Sequence, residues 1–320
     1  MGTSPNSTFF SKTFAKQSPQ QTMSFSSRIP ARDTETLEAS RDALQKLNNT
    51  DAEAVSTARK STLYTLRRLD PNLCPNYPHP ATIRVINQDT LSAAIDISSR
   101  PSPRTPGENP RPLVVNFANR HRPGGGWLNG AVAQEEALCY RSTLALSLNP
   151  RHYPLARDEA LYSAHVMVLR EEMAHGHGLL QVPVSLLPVV SAVTVAAIRN
   201  PEVRTFVLPA PQAGNAGTAT ATTRKKHVFA LDRDRNATKD KMRLALRLAV
   251  CHGHGELVLG AMGCGVFANP PEDVAHCWLE VLREDEFAGN WWREVCFAVF
   301  DATGEGNYEV FKQVLDGRQV

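Results

Sequence analysis

The side chains best suited to chemistry lie within residues 114–146 of this 320-residue sequence. Asn116 and Asn119 follow an apolar run, a glycine triplet follows at 124–126, and Gln-Glu-Glu occupies 134–136. Three glycines leave one segment without Cβ atoms, so its backbone can press against a ligand and its amides can point at an anion or a sugar ring. Carboxylates at the start of a helix are favoured by the helix dipole. These groups predict a ligand site that combines backbone amides with carboxyl groups.

Each part of this segment also has a purely structural interpretation. A glycine triplet is often a flexible turn, and acidic residues at a helix start often do no more than complement the dipole. The order of the parts favours a functional site: strand, paired asparagines, glycine triplet, spacer, two glutamates and helix. Asparagines at the carboxyl end of a strand lie where open α/β sheets bind ligands.

A second candidate site follows the apolar run at 256–260. Gly260, Gly263 and Gly265 lie between this run and a helix that starts at a proline. A glycine loop before a helix N-terminus is suited to binding an anion. The alternative is a tight strand-to-helix turn whose Phe267 lies in the core.

Apolar periodicity predicts the elements that must position these residues. Helices are predicted at 34–47, 52–69, 89–98, 134–148, 236–252, 271–282 and 308–315. Strands are predicted at 82–87, 112–117, 164–169, 187–195, 205–208, 256–260 and 294–301. Loops are predicted at 99–112 and 210–226, the second of them mobile. Strands that alternate with helices predict an α/β layered fold.

The chain divides into three parts on composition. Residues 1–32 are rich in Ser, Thr, Gln and Lys and are predicted to form a disordered tail. The same composition fits a mitochondrial transit peptide, but prolines interrupt any helix there, so targeting is the less favoured interpretation. Residues 33–80 are expected to be a helical lead-in packed on the core, and residues 81–320 the main α/β domain.

Overall composition narrows the class of protein. Hydrophobic residues make up 42 % of the chain, enough for a sizeable core. The net charge of +3 is spread along the sequence, whereas a nucleic-acid binder usually carries a denser basic stripe. Six scattered cysteines without a CxxC pair are expected to be reduced thiols of an intracellular protein. No apolar run reaches the roughly 20 residues that span a bilayer, which predicts a soluble chain.

The VNFAN, PGGGW and QEE motifs within residues 115–136 resemble the signature of the microbial-type poly(ADP-ribose) glycohydrolases, whose catalytic core is a macrodomain. The resemblance extends over about residues 34–315. It implies a macrodomain-like three-layer α/β/α fold with a mostly mixed central sheet and an N-terminal helical extension. It also implies cleavage of the ribose–ribose O-glycosidic bond of poly(ADP-ribose), from chain ends, with release of ADP-ribose.

The resemblance also implies roles for individual residues. Glu136 is the expected general acid: it protonates the ribose 2′-oxygen that leaves and then, as a carboxylate, activates water. Glu135 and Asn119 hold the ribose hydroxyls, and Gln134 supports the loop. Adjacent helical side chains diverge by about 100°, so one glutamate alone is expected to act, with its pKa raised by burial or by Glu135. Residues 263–266 are expected to bind the diphosphate through their backbone amides, and Phe267 to pack near the distal ribose or adenine. The full set of other implied substrate contacts is Asn116, Gly124, Gly125, Gly126, Gly263, Cys264, Gly265, Val266 and Phe267.

Asp89 has two interpretations that stay open. In macrodomains an Asp after the corresponding strand reads the adenine amino group, and Asp89 is the residue at that position. Asp is also a frequent helix N-cap, and a helix is predicted to start here.

The resemblance implies no cofactor and no metal. The pairs His175 and His177, and His252 and His254, lack a matched third ligand, so neither is expected to bind a metal. The expected partners are poly(ADP-ribose) or ADP-ribosylated proteins as substrate and ADP-ribose as product, with no membrane and no nucleic acid. The chain is expected to act as a monomer in the nucleus or cytoplasm. Two other functions stay open: a non-catalytic ADP-ribose reader, and a hydrolase of another ADP-ribose derivative.

Overall fold

The structure is a computed structural model that describes residues 29–100, 108–209, 223–302 and 304–320. Its helices are α1 (Ile29–Asn48), α2 (Ala52–Ala58), α3 (Thr90–Ser98), α4 (Gln134–Arg141), α5 (Leu144–Ser147), α6 (Asp232–Cys251), α7 (Pro271–Leu282) and α8 (Asn307–Leu315). Its strands are β1 (Thr62–Tyr64), β2 (Ile83–Ile86), β3 (Leu113–Ala118), β4 (Ala160–Met167), β5 (Val189–Ala196), β6 (Val203–Pro209), β7 (Thr223–Phe229), β8 (Glu256–Leu259) and β9 (Glu294–Ala298).

Seven strands form a mixed central sheet in the order β1-β4-β5-β3-β8-β9-β2. The five strands from β5 to β2 run parallel to one another, while β4 and β1 are antiparallel to their neighbours. Strands β6 and β7 form a separate antiparallel pair. The parallel strands β3, β5 and β8 therefore end at the same edge of the sheet, which is where such sheets bind ligands.

Helices cover both faces of the sheet. On one face α6, α7 and α8 contribute to a cluster that contains Trp278, Phe297 and Phe311. On the other face α3 and α4 pack through Leu91 and Tyr140 in a second cluster. This arrangement confirms the predicted three-layer α/β/α architecture, because an apolar sheet buried on both faces needs a helical layer on each side.

The N-terminal helices α1 and α2 pack on a smaller cluster with Met167 and Leu169, at the end of β4. The helix predicted at 52–69 ends at Ala58, and the chain continues as the short strand β1, which pairs with β4. Helix α1 begins at Ile29, five residues before the predicted start and inside the segment expected to be disordered. The rest of that segment, residues 1–28, lies outside the described residues.

Two other predicted boundaries differ from the structure. The single helix predicted at 134–148 is divided into α4 and α5 because Ser142 has an extended backbone and its hydroxyl donates to the Leu138 carbonyl. The end of the loop predicted at 210–226 is part of β7, and residues 210–222 lie outside the described residues. Among the described residues, no helix is long and apolar enough to cross a membrane.

Candidate active site

Glu135 and Glu136 lie in the first turn of α4, at the carboxyl end of β3, and both are buried, with 3 % and 7 % of their surfaces exposed. Glu135 is held by three donors. The backbone N–H of Asn119 donates to Oε2 at 2.7 Å, while the N–H of Gly124 and Nδ2 of Asn116 donate to Oε1 at 3.2 and 3.4 Å. Buried carboxyl groups are tolerated when they are hydrogen-bonded in this way.

Glu136 is held on one side only. The backbone N–H of Gly126 donates to Oε1 at 2.7 Å. In the part of the chain that the structure describes, Oε2 of Glu136 has no protein donor. This second oxygen therefore keeps its hydrogen-bonding capacity, whereas both oxygens of Glu135 already accept from the protein.

The glycine triplet holds the glutamates, which corrects the expectation that its amides face an anion or a sugar. The N–H groups of Gly124 and Gly126 donate to Glu135 and Glu136, and the N–H of Gly125 donates to the Arg122 carbonyl. All three amides are thus used within the protein. The predicted role of the triplet as an amide cradle for the ligand is wrong in this structure.

Gly125 must be glycine because of its backbone angle and its neighbours. Its φ is +63°, in the left-handed region that residues with a Cβ rarely adopt. A Cβ there would lie 2.8 Å from Oε2 of Glu135 and even closer to Oε1 of Glu136. The bare Cα therefore lets the loop lie directly against both carboxyl groups.

Burial raises the pKa of Glu135 to about 8, and the negative charge of Glu136 raises it further, while the hydrogen bonds from Asn119, Asn116 and Gly124 oppose the shift. Near pH 7 the Glu135 carboxyl is therefore predominantly protonated. A raised pKa at Glu135 itself was not among the expectations from the sequence.

The two asparagines have different surroundings. Asn116 is fully buried, and its Nδ2 donates to Thr194 and Glu135, so it positions Glu135 and does not face the cavity; its predicted substrate contact is wrong in this structure. Asn119 is half-buried and lines the cavity beside the glycine triplet. Its Oδ1 accepts from the N–H groups of His121 and Arg122, which shapes the turn after β3.

Gln134 connects α4 to the end of β3. Strand β3 pairs with β8 only at Leu113 and Val114, so its later backbone groups on that side lack a strand partner. Gln134 replaces this partner: its Nε2 donates to the Val115 carbonyl at 2.8 Å, and its Oε1 accepts from the Phe117 N–H at 2.9 Å. This geometry agrees with the supporting role expected of Gln134.

The second glycine turn follows β8, on the other side of β3 from β5. The N–H of Cys264 donates to the Ala261 carbonyl, so this amide, one of the predicted diphosphate donors, is already used in the turn. Within the described residues, the N–H groups of Gly263, Gly265, Val266 and Phe267 have no protein acceptor. The turn thus presents four amides that a bound anion can accept from.

Phe267 lies outside the core. It is half-buried, lines a cavity, and has the guanidinium of Arg199 6.0 Å from its ring centroid. Its alternative interpretation as a core residue is therefore excluded. Gly263 has a φ of +71°, and a Cβ there would lie 2.5 Å from Nδ2 of Asn269, so glycine is required at this point of the turn.

Two neighbouring cavities open beside these groups. The glycine-loop cavity, of about 380 Å³, is lined by Asn119, His121, Arg122, Gly125, Gly126 and Arg199. The second, which we call the basic cavity, has a volume of about 370 Å³. It is lined by Asn119, Arg120, His121, Ala156, Arg157, Ala196, Ala197, Ile198, Arg199, Asp234, Lys241 and Phe267. Both volumes are suited to small ligands.

Several lining residues were missed by the sequence reasoning. Arg199 follows β5, whose carboxyl end adjoins that of β3, so a search for polar residues after every predicted parallel strand would have found it. Arg157 and Lys241 come from the segment before β4 and from the middle of α6, and no local pattern marks them.

Asp89 is the N-cap of α3. Its Oδ1 accepts from the N–H groups of Leu91 and Ser92 at 2.8 and 3.2 Å, and it pairs with the buried guanidinium of Arg141. It lines neither cavity. The structure thus supplies the capping role, and an adenine contact stays a prediction.

The histidine pairs lie apart from any group of metal-binding side chains. His175 is paired with Glu172, and His254 contacts Tyr162 and the Arg111 carbonyl. Among the described residues, no group of three or more His, Cys, Asp or Glu side chains is placed to hold a metal ion.

Comparisons with known proteins point to one family. A sequence model of the family described as microbial-type PARG (poly(ADP-ribose) glycohydrolase), catalytic domain, matches residues 35–171. This range includes β3, the glycine triplet and both glutamates, while the turn after β8 lies beyond it. A search of the curated proteins gave no match.

The fold is similar to solved structures of the same kind. The poly(ADP-ribose) glycohydrolase of Thermomonospora curvata shares 25 % identity at a TM-score of 0.63, covering 89 % of this chain and 98 % of that one. The structure of its complex with the inhibitor ADP-HPD shares 26 % identity with this chain at a TM-score of 0.61, with the same coverage of both chains. The poly(ADP-ribose) glycohydrolase of Deinococcus radiodurans in complex with ADP-ribose shares 25 % identity at a TM-score of 0.58, covering 82 % of this chain and 97 % of that one. The resemblance inferred from the glycine triplet and Gln-Glu-Glu is thereby confirmed.

Proposed function

We propose that this protein is a poly(ADP-ribose) glycohydrolase that releases ADP-ribose by hydrolysing the ribose–ribose bond, with Glu136 as its general acid and base. The observation that carries the proposal is the state of Glu136. The Gly126 amide fixes Oε1 of Glu136, and Oε2 has no donor among the described residues. Gly125 and Gly126, which lie against the Glu136 carboxyl group, line the glycine-loop cavity. The family match and the likeness to solved glycohydrolases support this activity.

The reaction needs one proton donor at the leaving oxygen. Glu136 protonates the ribose 2′-oxygen as the glycosidic bond breaks, which leaves an oxocarbenium-like ribose. The resulting carboxylate then takes a proton from the water that attacks this carbon. Glu135 and Glu136 are successive residues of one helix, and both carboxyl groups lie against Gly125, so they are on one side of the site and not on opposite sides of one bond. A single glutamate therefore acts in both steps.

The neighbouring groups bind and orient the terminal ADP-ribose unit. Asn119 and Glu135 hold the ribose hydroxyls, and the free amides of the turn after β8 donate hydrogen bonds to the diphosphate. Phe267 packs against the ribose, and Asp89 is assigned the adenine amino group. The four amides of this turn stabilise the diphosphate by hydrogen bonding, and we propose that no metal or other cofactor takes part.

We assign the reaction to the nucleus or cytoplasm, where ADP-ribosylated proteins carry the substrate, and propose that the chain works as a monomer. The state of the thiols supports an intracellular location: Cys74, Cys139, Cys251, Cys264, Cys277 and Cys296 are all free.

The test compares wild type with Glu136→Ala on automodified poly(ADP-ribose) polymerase. Wild type should release ADP-ribose, and the variant should lose this release by about 10²-fold or more, the range over which general acid–base catalysis acts. Its affinity for ADP-ribose, measured by calorimetry, should stay close to that of wild type. Binding of ADP-ribose by wild type without cleavage would instead make the protein a reader, and cleavage confined to mono-ADP-ribosyl linkages would change its substrate.

A further inference from the structure

Among the described residues, the basic cavity brings four cations together without carboxylate partners: Arg120, Arg157, Arg199 and Lys241. Its lining also includes one carboxylate, Asp234, which pairs with Arg233. Within the described part of the chain, none of these four has a carboxylate oxygen within 4.0 Å. Like charges held in one cavity repel one another, so this arrangement favours the binding of an anion.

Backbone carbonyls fix three of these side chains in place. Nε of Arg120 donates to the Leu155 carbonyl at 2.8 Å, and a terminal nitrogen of Arg157 donates to the Arg233 carbonyl at 2.8 Å. Nζ of Lys241 donates to the carbonyl of Arg157 at 3.0 Å. The cations are thus positioned but not neutralised, because a carbonyl dipole carries no net charge.

Lys241 shows how unusual this site is. Only 6 % of its surface is exposed, and burial, together with the charges of Arg157 and Arg120, lowers its pKa to about 8. A buried ammonium without a carboxylate partner is costly to the fold. A bound anion would remove this cost.

Strand order places the basic cavity relative to the proposed scissile bond. Along the sheet edge, the turn 263–267 follows β8, Asn119 follows β3, and Arg199 follows β5, while Arg157 precedes the antiparallel β4. If the turn after β8 holds the diphosphate of the terminal unit, its ribose lies over β3. The group attached to the far side of that ribose then lies over the basic cavity, which Asn119 and Phe267 line on the side of the terminal unit.

We propose that the basic cavity is a leaving-side subsite that binds the diphosphate of the second ADP-ribose unit. This inference rests on the proposed function, because it takes the bond beside Glu136 as the one that is cleaved. It makes oligomers better substrates than an ADP-ribose carrying a neutral group at the same ribose carbon. Arginine and lysine suit this role because they pair with phosphate oxygens through charge-assisted hydrogen bonds.

Two substrates separate this subsite from the rest of the site. One is the ADP-ribose dimer, whose leaving group carries a diphosphate; the other is the 4-nitrophenyl glycoside of ADP-ribose, whose leaving group does not. Arg157→Gln and Lys241→Met should each lower kcat/KM for the dimer about tenfold, the factor given by about 1.4 kcal/mol of lost interaction. Neither should change kcat/KM for the glycoside.

Arg151→Gln is the matched control, because Arg151 is an exposed arginine of the same segment before β4 that lines neither cavity. It should leave both rates at the wild-type value. Since Arg157 is exposed, its variant tests the proposal even if Lys241→Met fails to fold, which a thermal unfolding curve would show.

The outcomes distinguish the inference from the function on which it rests. If wild type cleaves neither substrate, the proposed function itself is wrong. If wild type cleaves both and the variants slow both equally, the cavity serves the terminal unit and the leaving-side subsite is excluded. Unchanged rates on both substrates would exclude it as well, and a loss restricted to the dimer supports it.

Discussion

Glu135 and Glu136 are adjacent in sequence and differ in how they are held. Three donors hold Glu135, with at least one on each oxygen, whereas Glu136 keeps one oxygen without a protein donor in the described structure. The pKa of Glu135 is raised to about 8 mainly by burial.

Gly125 is the residue whose side chain would most directly disturb this pair. Gly125→Ala would place a Cβ against Glu135 and Glu136 at a φ of +63°. We expect hydrolysis of poly(ADP-ribose) to fall by about 10²-fold, because small misplacements of catalytic groups have effects of that size. The control is Gly178→Ala, since Gly178 is exposed, has an ordinary φ, and nothing lies within 4 Å of a Cβ there. Equal rates for the two variants would show that the loop does not position the glutamates.

The raised pKa of Glu135 predicts a particular pH dependence of stability. The carboxyl ionises near 4.5 in the unfolded chain and near 8 in the folded one, so between these values the folded state holds the extra proton. The contribution of Glu135 to stability is therefore complete below about pH 4.5 and is lost as the pH rises through about 8. Glu135→Gln should flatten this decline in urea unfolding between about pH 6.5 and 8.5.

The matched control for this measurement is Glu53→Gln, because Glu53 is an exposed glutamate of α2. It should show the same decline in the free energy of unfolding as wild type. A Glu135→Gln curve with the same slope as wild type over this interval would contradict the raised pKa of Glu135.

At the scale of the elements, the site depends on the separation of β3 from β8. The two strands stop pairing after Val114, and the Gln134 side chain occupies the resulting gap. This contact fixes the start of α4 against β3. It therefore sets where Glu135 and Glu136 stand relative to the strand.

Gln134→Ala should lower both the stability of the protein and its rate of hydrolysis. Two hydrogen bonds to β3 are lost, which we expect to lower the free energy of unfolding by about 1–3 kcal/mol, and kcat should fall more than affinity for ADP-ribose changes. Gln181→Ala is the control, because Gln181 is exposed and bonds only the nearby Leu179 carbonyl. The bridging role is contradicted if urea unfolding gives the two variants the same stability.

Much of this arrangement could be predicted from the sequence, and the failures have physical causes. Helix α7 begins and ends where predicted, because a proline start and regular apolar spacing mark it clearly. Strand β1 has only three residues, too few to show a period, and its identity depends on pairing with β4. Periodicity alone therefore extended the α2 helix too far.

The site shows the same limit. The glutamates and glycines were found because local spacing carries the signal. Their hydrogen bonds were not, since the direction in which the amides of Gly124 and Gly126 point depends on where α4 packs. The burial of Asn116 was missed for a similar reason: it depends on the helices that pack on both faces of β3, which local spacing does not show.

At the scale of the whole molecule, the parallel strands separate two kinds of buried polar group. Their carboxyl ends carry the glutamates and the two cavities, and His254 lies at their amino ends, immediately before β8. One ring nitrogen of His254 lies 2.8 Å from the Tyr162 hydroxyl and the other 2.8 Å from the Arg111 carbonyl. These bonds connect β8 to β4 and to the start of β3, so this histidine belongs to the framework of the sheet.

The surroundings of His254 predict that the fold weakens in acid. Burial lowers the pKa of His254 to about 4, so below about pH 6.5 the unfolded chain takes up a proton that the folded chain accepts only near pH 4. The stabilising contribution is complete above about pH 6.5 and is lost as the pH falls towards 4. Burial lowers the pKa of His165 to about 4 as well, so the two histidines act in the same interval. In urea unfolding, His254→Gln should lose less stability in acid than wild type does, whereas His79→Gln, at an exposed histidine, should lose as much as wild type. Hydrolysis at neutral pH should be unchanged in both variants because neither side chain lies near the glutamates. If His254→Gln leaves the pH dependence of the free energy of unfolding in acid unchanged, the ring of His254 is protonated in the folded protein.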